Sequence, residues 1–424
     1  MKQLFVMKDT QENKITYYHL TAFVILLPFN RFYGELVVIS LLLHTLIHIK
    51  RSGLRSIFTV QNLVLSSVFL VSIISVLWSP DKKEAFKDIE RQLAILLFPV
   101  IFSIARLDWQ QYKTRILRIF GLTCILTLLY LYADAIHIIL YNKLPLTTLF
   151  SMSFLNHNFS EPIGLHATYC SMYVALSIAV FLHLFLNEKR NKLRLLYAIA
   201  IGILLAGLLQ LASRSVLIAT IILIIPGFPL FMPKGIQRFR FITISLLVLL
   251  IAILGITKID SLKKRYVGDL KNDLMQASIN NEILEPRIIR WHYALELIKH
   301  SPVIGYGSGS EGRLLKEKYF ENKLYNSYLN ELNAHNQYLS ILLKSGIVGL
   351  IIFLLTLIYG FARAWHNRDI VFAGFMVITS IVSFSENILD MNKGIFFYAF
   401  FFSFFVMCSK PFEDFTRLIK SRKN

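Results

Sequence analysis

Residues 241–254, FITISLLVLLIAIL, form an apolar run without a charged residue. Comparable runs follow at 347–358, IVGLIIFLLTLI, and at 395–407, IFFYAFFFSFFVM. With its apolar flanks, each run is long enough to cross about 30 Å of hydrocarbon as a helix rising about 1.5 Å per residue. The pattern predicts an all-α, polytopic integral membrane protein.

The composition agrees with this prediction. Of 424 residues, 55% are hydrophobic and 17% charged, whereas an ordinary soluble domain carries about 25% charged residues. The 45 Lys and Arg against 26 Asp and Glu leave a net charge of +19. Most of these cations fall in short connections between apolar runs, so they indicate contact with membrane lipids and not with a nucleic acid. Most aromatic residues, 13% of the chain, are expected to face lipid or form interfacial belts.

Twelve runs meet the length requirement, and one long polar segment interrupts their succession. The spans are predicted at 16–30, 33–49, 58–78, 88–105, 116–140, 164–186, 193–212, 215–232, 239–257, 335–362, 369–386 and 393–410. The predicted domains are spans 1–9 within residues 1–257, a loop at 258–334, spans 10–12 within 335–410 and a tail at 411–424.

The distribution of Lys and Arg predicts the orientation of the chain. The two termini and every second connection hold 24 of these residues, and the opposite short loops hold 8. Cytoplasmic loops carry such an excess. Both termini and the 411–424 tail are therefore expected to be cytoplasmic, and the 258–334 loop to lie on the outer side.

The long loop is expected to contain short amphipathic helices. Pro286 suits a first helical turn, and the apolar spacing after it predicts a helix that ends before Ser301 and Pro302. Glycines 305, 307 and 309 predict a flexible turn, and a second helix is expected over 311–322 with Ser310 as its N-cap.

Three arginines near the outer face are candidate anion ligands. Arg214 interrupts two apolar runs, so it either binds an anion or is a helix-end arginine that snorkels to the interface. Arg287 and Arg290 lie three residues apart at a helix start, where forked donors and free N–H groups suit a diphosphate. The alternative for this pair is a solvated basic face, salt-bridged to Glu285 or Glu282.

His335 is the candidate catalytic base. It lies where the loop re-enters the membrane, and a neutral imidazole there accepts a proton from a sugar hydroxyl at ambient pH. The alternative is an interfacial histidine satisfied by water. Supporting residues are Asn336 and Tyr338 beside it, and His166 and Glu386 near the same outer face, where Glu386 pairs with an active-site arginine or closes a helix contact.

Nucleotide, metal and serine-hydrolase chemistry have no signal in this chain. The sequence contains no GxxxxGK, HExxH, paired CxxC or GxSxG motif. Its three cysteines, Cys124, Cys170 and Cys408, fall in or at the end of apolar runs. We expect no metal and no other cofactor.

Residues 286–360 resemble the O-antigen ligase family, which is related to O-antigen polymerases. The resemblance is carried by RIIRWHYALELI from Arg287, SPVIGYGSG from Ser301, AHNQYL from Ala334 and GIVG from Gly346, with SRS around Arg214 upstream. It implies a GT-C-like membrane fold in the bacterial inner membrane with an active site that faces the periplasm.

The resemblance also implies an activity. Enzymes of this family move a glycan from undecaprenyl diphosphate to the lipid A core oligosaccharide, without metal or nucleotide. By this likeness Arg214 and Arg287 would hold the diphosphate, Arg290 would assist, and His335 would act on the acceptor hydroxyl. With no carboxylate nucleophile in evidence, a single displacement that inverts the anomeric carbon is expected.

Two other functions remain open from the sequence. An O-antigen polymerase uses the same kind of donor but extends a lipid-linked glycan, and sequence hardly separates it from a ligase. A lipid-linked oligosaccharide flippase also has many spans and cavity arginines, but it would not need a folded outer segment.

Overall fold

The computed structural model describes residues 9–49, 51–105, 107–270, 278–279, 282–283 and 285–411, with the side chains of 51, 52, 278–279 and 282–283 left out. Each of the twelve predicted spans contains helix. These helices are α1 Gln11–Leu26, α2 Arg31–Ile47, α4 Val60–Ser75, α5 Lys82–Ile104, α6 Trp109–Tyr141, α8 Ala167–Asn187, α9 Asn191–Leu211, α10 Arg214–Ile222 with α11 Phe228–Phe231, α12 Ile236–Lys258, α17 Gln337–His366, α18 Ile370–Val382 and α19 Asn392–Met407. Two short helices lie between them, α3 Arg51–Ile57 before α4 and α7 His157–Ser160 before α8.

Seven helical segments in the described part of the chain are long and apolar enough to cross a membrane. They are Val60–Trp78, Trp109–Tyr141, Ala167–Asn187, Asn191–Leu211, Arg214–Phe231, Ile236–Lys258 and Gln337–His366. Helices α18 and α19 are equally apolar but shorter. The protein is therefore a multi-pass helical membrane protein, while twelve crossings and a GT-C-like arrangement remain predictions.

The span from Arg214 to Phe231 is not a regular α-helix. A π-helical turn at Leu223–Gly227 joins α10 to α11, and Pro226 lies within it. Proline has no N–H to donate along the helix, and an added residue in the turn accommodates its ring. The helical path thus continues through Pro226 into α11.

Two apolar runs that look alike in the sequence occupy opposite environments. Helix α12 has no buried residue, so its side chains are left for lipid to cover. Helix α19 is buried along nearly its whole length and packs mainly on α5. Phe397, Phe400 and Phe401 are completely buried there, each in ring contact with neighbouring aromatic residues. For this helix the expectation that aromatics face lipid is wrong, because the ring-filled surface fits between other helices.

The polar segment folds into a small helical unit on one end of the bundle, here called the cap. It contains α14 Arg287–His300, α15 Ser310–Glu321 and α16 Tyr325–Leu329, preceded by the short α13 Asp260–Lys263 and by an antiparallel pair of two-residue strands, β1 Ser278–Ile279 and β2 Glu282–Ile283. Buried Ala294, Leu315 and Tyr319 form its core together with Leu343 of α17. The cap is therefore attached to the bundle through shared apolar packing.

The glycine segment 305–309 is a closely packed wedge and not the expected flexible turn. Helix α17 is interrupted at Gly346, whose φ is +61°. The wedge supplies hydrogen bonds that the interruption removes: Tyr306 N–H donates to Leu343 O at 2.9 Å. In return, Ile347 N–H donates to Pro302 O at 2.9 Å. The glycines are required because backbone meets backbone here, leaving no room for Cβ atoms.

Replacing Gly346 by alanine is expected to destabilise the protein. A Cβ at this position would overlap Val303 O and also require a left-handed backbone, so we expect a loss of about 2 kcal/mol or more. Thermal unfolding in detergent measures the effect. The matched control is Gly312→Ala in α15, where a Cβ meets open space and a helix former is gained. Equal unfolding temperatures for the two variants would contradict the close backbone packing between Gly346 and the 302–305 segment.

Candidate active site

Glu386 joins an arginine from the cap to a histidine at the membrane boundary. Its Oε1 lies 3.4 Å from Arg287 Nη2, and its Oε2 lies 3.2 Å from His335 Nδ1. Arg287 begins α14, His335 lies two residues before α17, and Glu386 lies in the connection between α18 and α19. Three distant parts of the chain thus meet in one polar group, with Arg287 and His335 partly open to solvent.

The backbone around His335 is held on both sides. His335 has φ of +46°, a left-handed conformation that costs a non-glycine residue on the order of 1 kcal/mol. The N–H of Ala334 donates to Glu311 Oε1 at 3.1 Å, and the carbonyl of Ala334 accepts from Trp291 Nε1 at 2.8 Å. The N–H of Asn336 donates to Asn387 Oδ1 at 2.8 Å. These bonds stabilise the strained conformation that directs the imidazole towards Glu386.

A buried charged cluster lies next to the residues that hold the His335 backbone. Lys344 Nζ is 2.9 Å from Asp390, 3.4 Å from Asp88 and 3.6 Å from Glu311. Asn387 Nδ2 donates to Glu311 Oε1 at 3.2 Å, which connects the cluster to the residue after Glu386. Buried carboxylates require such compensation. This cluster was not predicted, although a lysine inside an apolar run indicates that it has partners.

Arg290 differs from Arg287 in its surroundings. It is only 6% exposed and shares a face of α14 with Ala294 and Leu297, the face that packs into the cap. Its charge acts on Tyr319 in the core of the cap. The spacing of three residues was expected to present both arginines to one ligand, but only Arg287 is accessible because the helix turns Arg290 inwards.

Asn336 and Tyr338, two of the three residues that follow His335, make structural contacts. Asn336 is the N-cap of α17, and its side chain accepts from the N–H groups of Tyr338 and Leu339 at 3.0 and 3.2 Å. The Tyr338 hydroxyl donates to Ser380 O at 2.8 Å and so ties α17 to α18. Both residues therefore fix the direction in which the chain enters the bundle after His335.

His166 and Arg214 lie at the same end of the bundle. His166 is the N-cap of α8 and interacts electrostatically with Glu386, His335 and Arg287. Arg214 is half-buried and begins α10, directly after the end of α9. Because α8 and α9 are antiparallel neighbours joined by a short connection, the end of α9 lies beside the start of α8.

Glu386 is held in its ionised form. Burial alone would raise the pKa of Glu386, but the hydrogen bond from His335 and the charges of His335, Arg287 and His166 outweigh that effect and lower the pKa. A carboxylate at this position orients the imidazole and stabilises its protonated form.

Glu386→Gln is expected to remove a pH-dependent part of the stability. Because the pKa is lowered on folding, this stability is present above the ordinary carboxyl pKa of 4.5 and is lost as pH falls through the lower folded value. We expect the variant to be less stable than wild type by about 2 kcal/mol at pH 7, with the gap closing in acid. Unfolding measured from pH 3 to 8 tests this.

The matched control is Glu331→Gln. Glu331 forms an exposed ion pair with Lys316 in the cap, and surface pairs of this kind contribute little. A pH-independent gap for Glu386→Gln, or an equal effect of the control, would contradict the assignment of Glu386 as a buried, ionised partner.

The fold and the polar group define a class: a multi-pass helical membrane protein with an Arg–Glu–His group under a folded cap. Residues 200–354 match the family model described as O-Antigen ligase. The match includes Arg214, Arg287 and His335, and it confirms the resemblance to the O-antigen ligase family over this part of the chain.

A curated relative extends the similarity without naming a function. The chain is 28% identical over 251 residues to an uncharacterised protein of Haemophilus influenzae. The aligned region covers 53% of this chain and 60% of that relative.

Proposed function

We propose that the protein is a membrane glycosyltransferase that moves a glycan from undecaprenyl diphosphate to the lipid A core oligosaccharide. The family match supports lipid-linked glycan transfer in general. The observation that carries the specific proposal is the contact of Glu386 with both His335 and Arg287, which joins a base to an anion ligand.

His335 acts as the general base in this proposal. Its Nδ1 faces Glu386 Oε2 at 3.2 Å, so Nδ1–H donates to the carboxylate and Nε2 is left to accept a proton. The acceptor hydroxyl oxygen forms a bond to the anomeric carbon while its proton passes to Nε2. The bond between the anomeric carbon and the diphosphate oxygen breaks, and its electron pair leaves with the lipid diphosphate. One such displacement inverts the anomeric carbon.

Arginines compensate the charge of the leaving group. Arg287 offers forked donors to phosphate oxygens, and its contact with Glu386 is 3.4 Å long. Arg214 is the proposed second ligand, and Arg290 assists by holding α14 in the cap. No metal or cofactor takes part in the proposed steps.

The proposed location is the bacterial inner membrane with both termini cytoplasmic and the cap in the periplasm. The charge asymmetry of the short connections supports this orientation, because Lys and Arg concentrate on the side opposite the cap. Donor and acceptor are both lipid-linked, so an active site at the membrane boundary reaches both.

Acceptor dependence tests the proposal. Purified protein in detergent is incubated with undecaprenyl diphosphate-linked glycan, with and without lipid A core, and the products are resolved by gel. A ligase forms product only when core is added. Chain growth with the lipid-linked glycan alone identifies a polymerase, and no product under either condition contradicts a glycosyltransferase.

A further inference from the structure

Two histidines lie against each other beside the candidate active site. His157 begins α7, and its ring centroid is 3.9 Å from that of His166. Solvent reaches both side chains. Glu386 acts electrostatically on both rings, and His335 and Arg287 act on His166. The pair therefore borders the site, yet the proton transfer proposed above uses neither ring.

Hydrogen bonds assign the position of the proton on each ring. His157 Nδ1 accepts from the N–H of Ala167 at 3.3 Å, and His166 Nδ1 accepts from the N–H of Thr168 at 3.4 Å. A ring nitrogen that accepts carries no proton, so each neutral imidazole carries its proton on Nε2. Both rings thus offer an Nε2–H donor.

The surrounding protein keeps both rings neutral. Neighbouring groups partly desolvate the ring and lower the pKa of His166, against the opposing charge of Glu386, although solvent still reaches the side chain. Burial and the charge of Arg265 lower the pKa of His157. In their neutral form the two rings are hydrogen-bond donors through Nε2–H.

Two cations act electrostatically on the histidine pair. Arg265 acts on His157 and forms an ion pair with Asp269 at 3.0 Å, while Arg287 acts on His166. Two neutral donors in a positively charged environment suit a ligand with several anionic oxygens, more than a single carboxylate or an uncharged sugar.

We propose that His157 and His166 bind the diphosphate of the lipid-linked donor through their Nε2–H groups. This inference rests on the proposed function and extends its donor site. It separates two roles: His157 and His166 determine donor affinity, and His335 transfers the proton.

Asparagine and glutamine distinguish the donor role from a structural one. In His166→Asn the side-chain oxygen still accepts a hydrogen bond at the N-cap of α8, but no group remains at the place of Nε2. In His157→Asn the side-chain oxygen likewise keeps an acceptor for the N–H of Ala167, and the Nε2–H donor is lost. In His166→Gln the longer side chain returns an N–H donor to that place. The control is His300→Asn, an exposed histidine in the last turn of α14.

The experiment measures the affinity of purified protein for undecaprenyl diphosphate by microscale thermophoresis, and KM and kcat for the glycan donor. For the double Asn variant we expect Kd and KM to rise about tenfold or more, with kcat and unfolding temperature little changed. We expect His166→Gln to recover most of the loss seen in His166→Asn, and His300→Asn to match wild type.

Two outcomes separate this inference from the proposed function. If Arg287→Lys weakens lipid diphosphate binding but the double Asn variant binds like wild type, or loses only kcat, the histidine assignment is overturned and the proposed function stands. If wild-type protein fails to bind undecaprenyl diphosphate, the proposed function itself is contradicted.

Discussion

His335→Ala is expected to reduce glycan transfer by about 100-fold or more, because it removes the group that accepts the hydroxyl proton. Donor affinity should change little, since the arginines that hold the diphosphate remain. Initial rates of transfer to lipid A core, measured at saturating donor, test this directly. The loss should appear in kcat and not in KM.

A rate measured for His335→Ala is informative only if the variant folds. The imidazole makes its described side-chain contact with Glu386 alone, and its strained backbone is held by neighbouring residues. Alanine removes the hydrogen bond that the buried Glu386 carboxylate accepts, so we expect a loss of stability comparable to that of Glu386→Gln, and rates are compared well below the unfolding temperature of the variant. His300→Ala, in the exposed last turn of α14, is the matched control and should retain full activity. Transfer at the wild-type rate by His335→Ala would remove this residue from the mechanism.

Arg287→Lys is expected to reduce transfer by about tenfold or more, although the positive charge is kept. A lysine reaches Glu386 and preserves the ion pair, but a single ammonium cannot offer two parallel donors to a diphosphate. Because those bonds strengthen as charge develops on the leaving group, we expect kcat to fall as well as donor affinity. Steady-state kinetics over a range of donor concentrations separates the two effects.

Arg313→Lys is the matched control for this variant. Arg313 lies on the exposed side of α15, where it pairs with Glu317 one helical turn later. The same chemical change there should leave transfer unaffected. Equal activity of both variants and wild type would show that Arg287 belongs to a solvated basic face, the alternative that its sequence left open.

Hydropathy located the helices of the bundle but not their surroundings. Apolar length alone marks 241–254 and 395–407 equally, yet α12 faces outwards and α19 fills the core. Burial depends on which surfaces fit together, and this information is spread over many helices. The glycines at 305–309 illustrate the same limit, because their partners are distant backbone segments: Gly305 packs on the interruption of α17 at Gly346, Gly307 on Ser79 and Gly309 on Ala85.

The candidate site was predicted in part. Residue type and position near a boundary singled out Arg287, His335 and Glu386, and the structure brings these three into contact. Arg290 was also expected to reach the ligand, but its side chain is buried in the cap. His157 was missed because it belongs to the 142–166 connection, which has no helical periodicity, and only the fold brings its ring beside His166.

Cryo-electron microscopy of the protein with bound undecaprenyl diphosphate in a lipid nanodisc would show where the donor binds. We expect the diphosphate within hydrogen-bonding distance of Arg287 and Arg214 at the cap end of the bundle, with His335 Nε2 facing the position of the departing sugar. A diphosphate bound at the opposite end of the bundle, or at the cap end but beyond the reach of Arg287 and His335, would contradict this expectation.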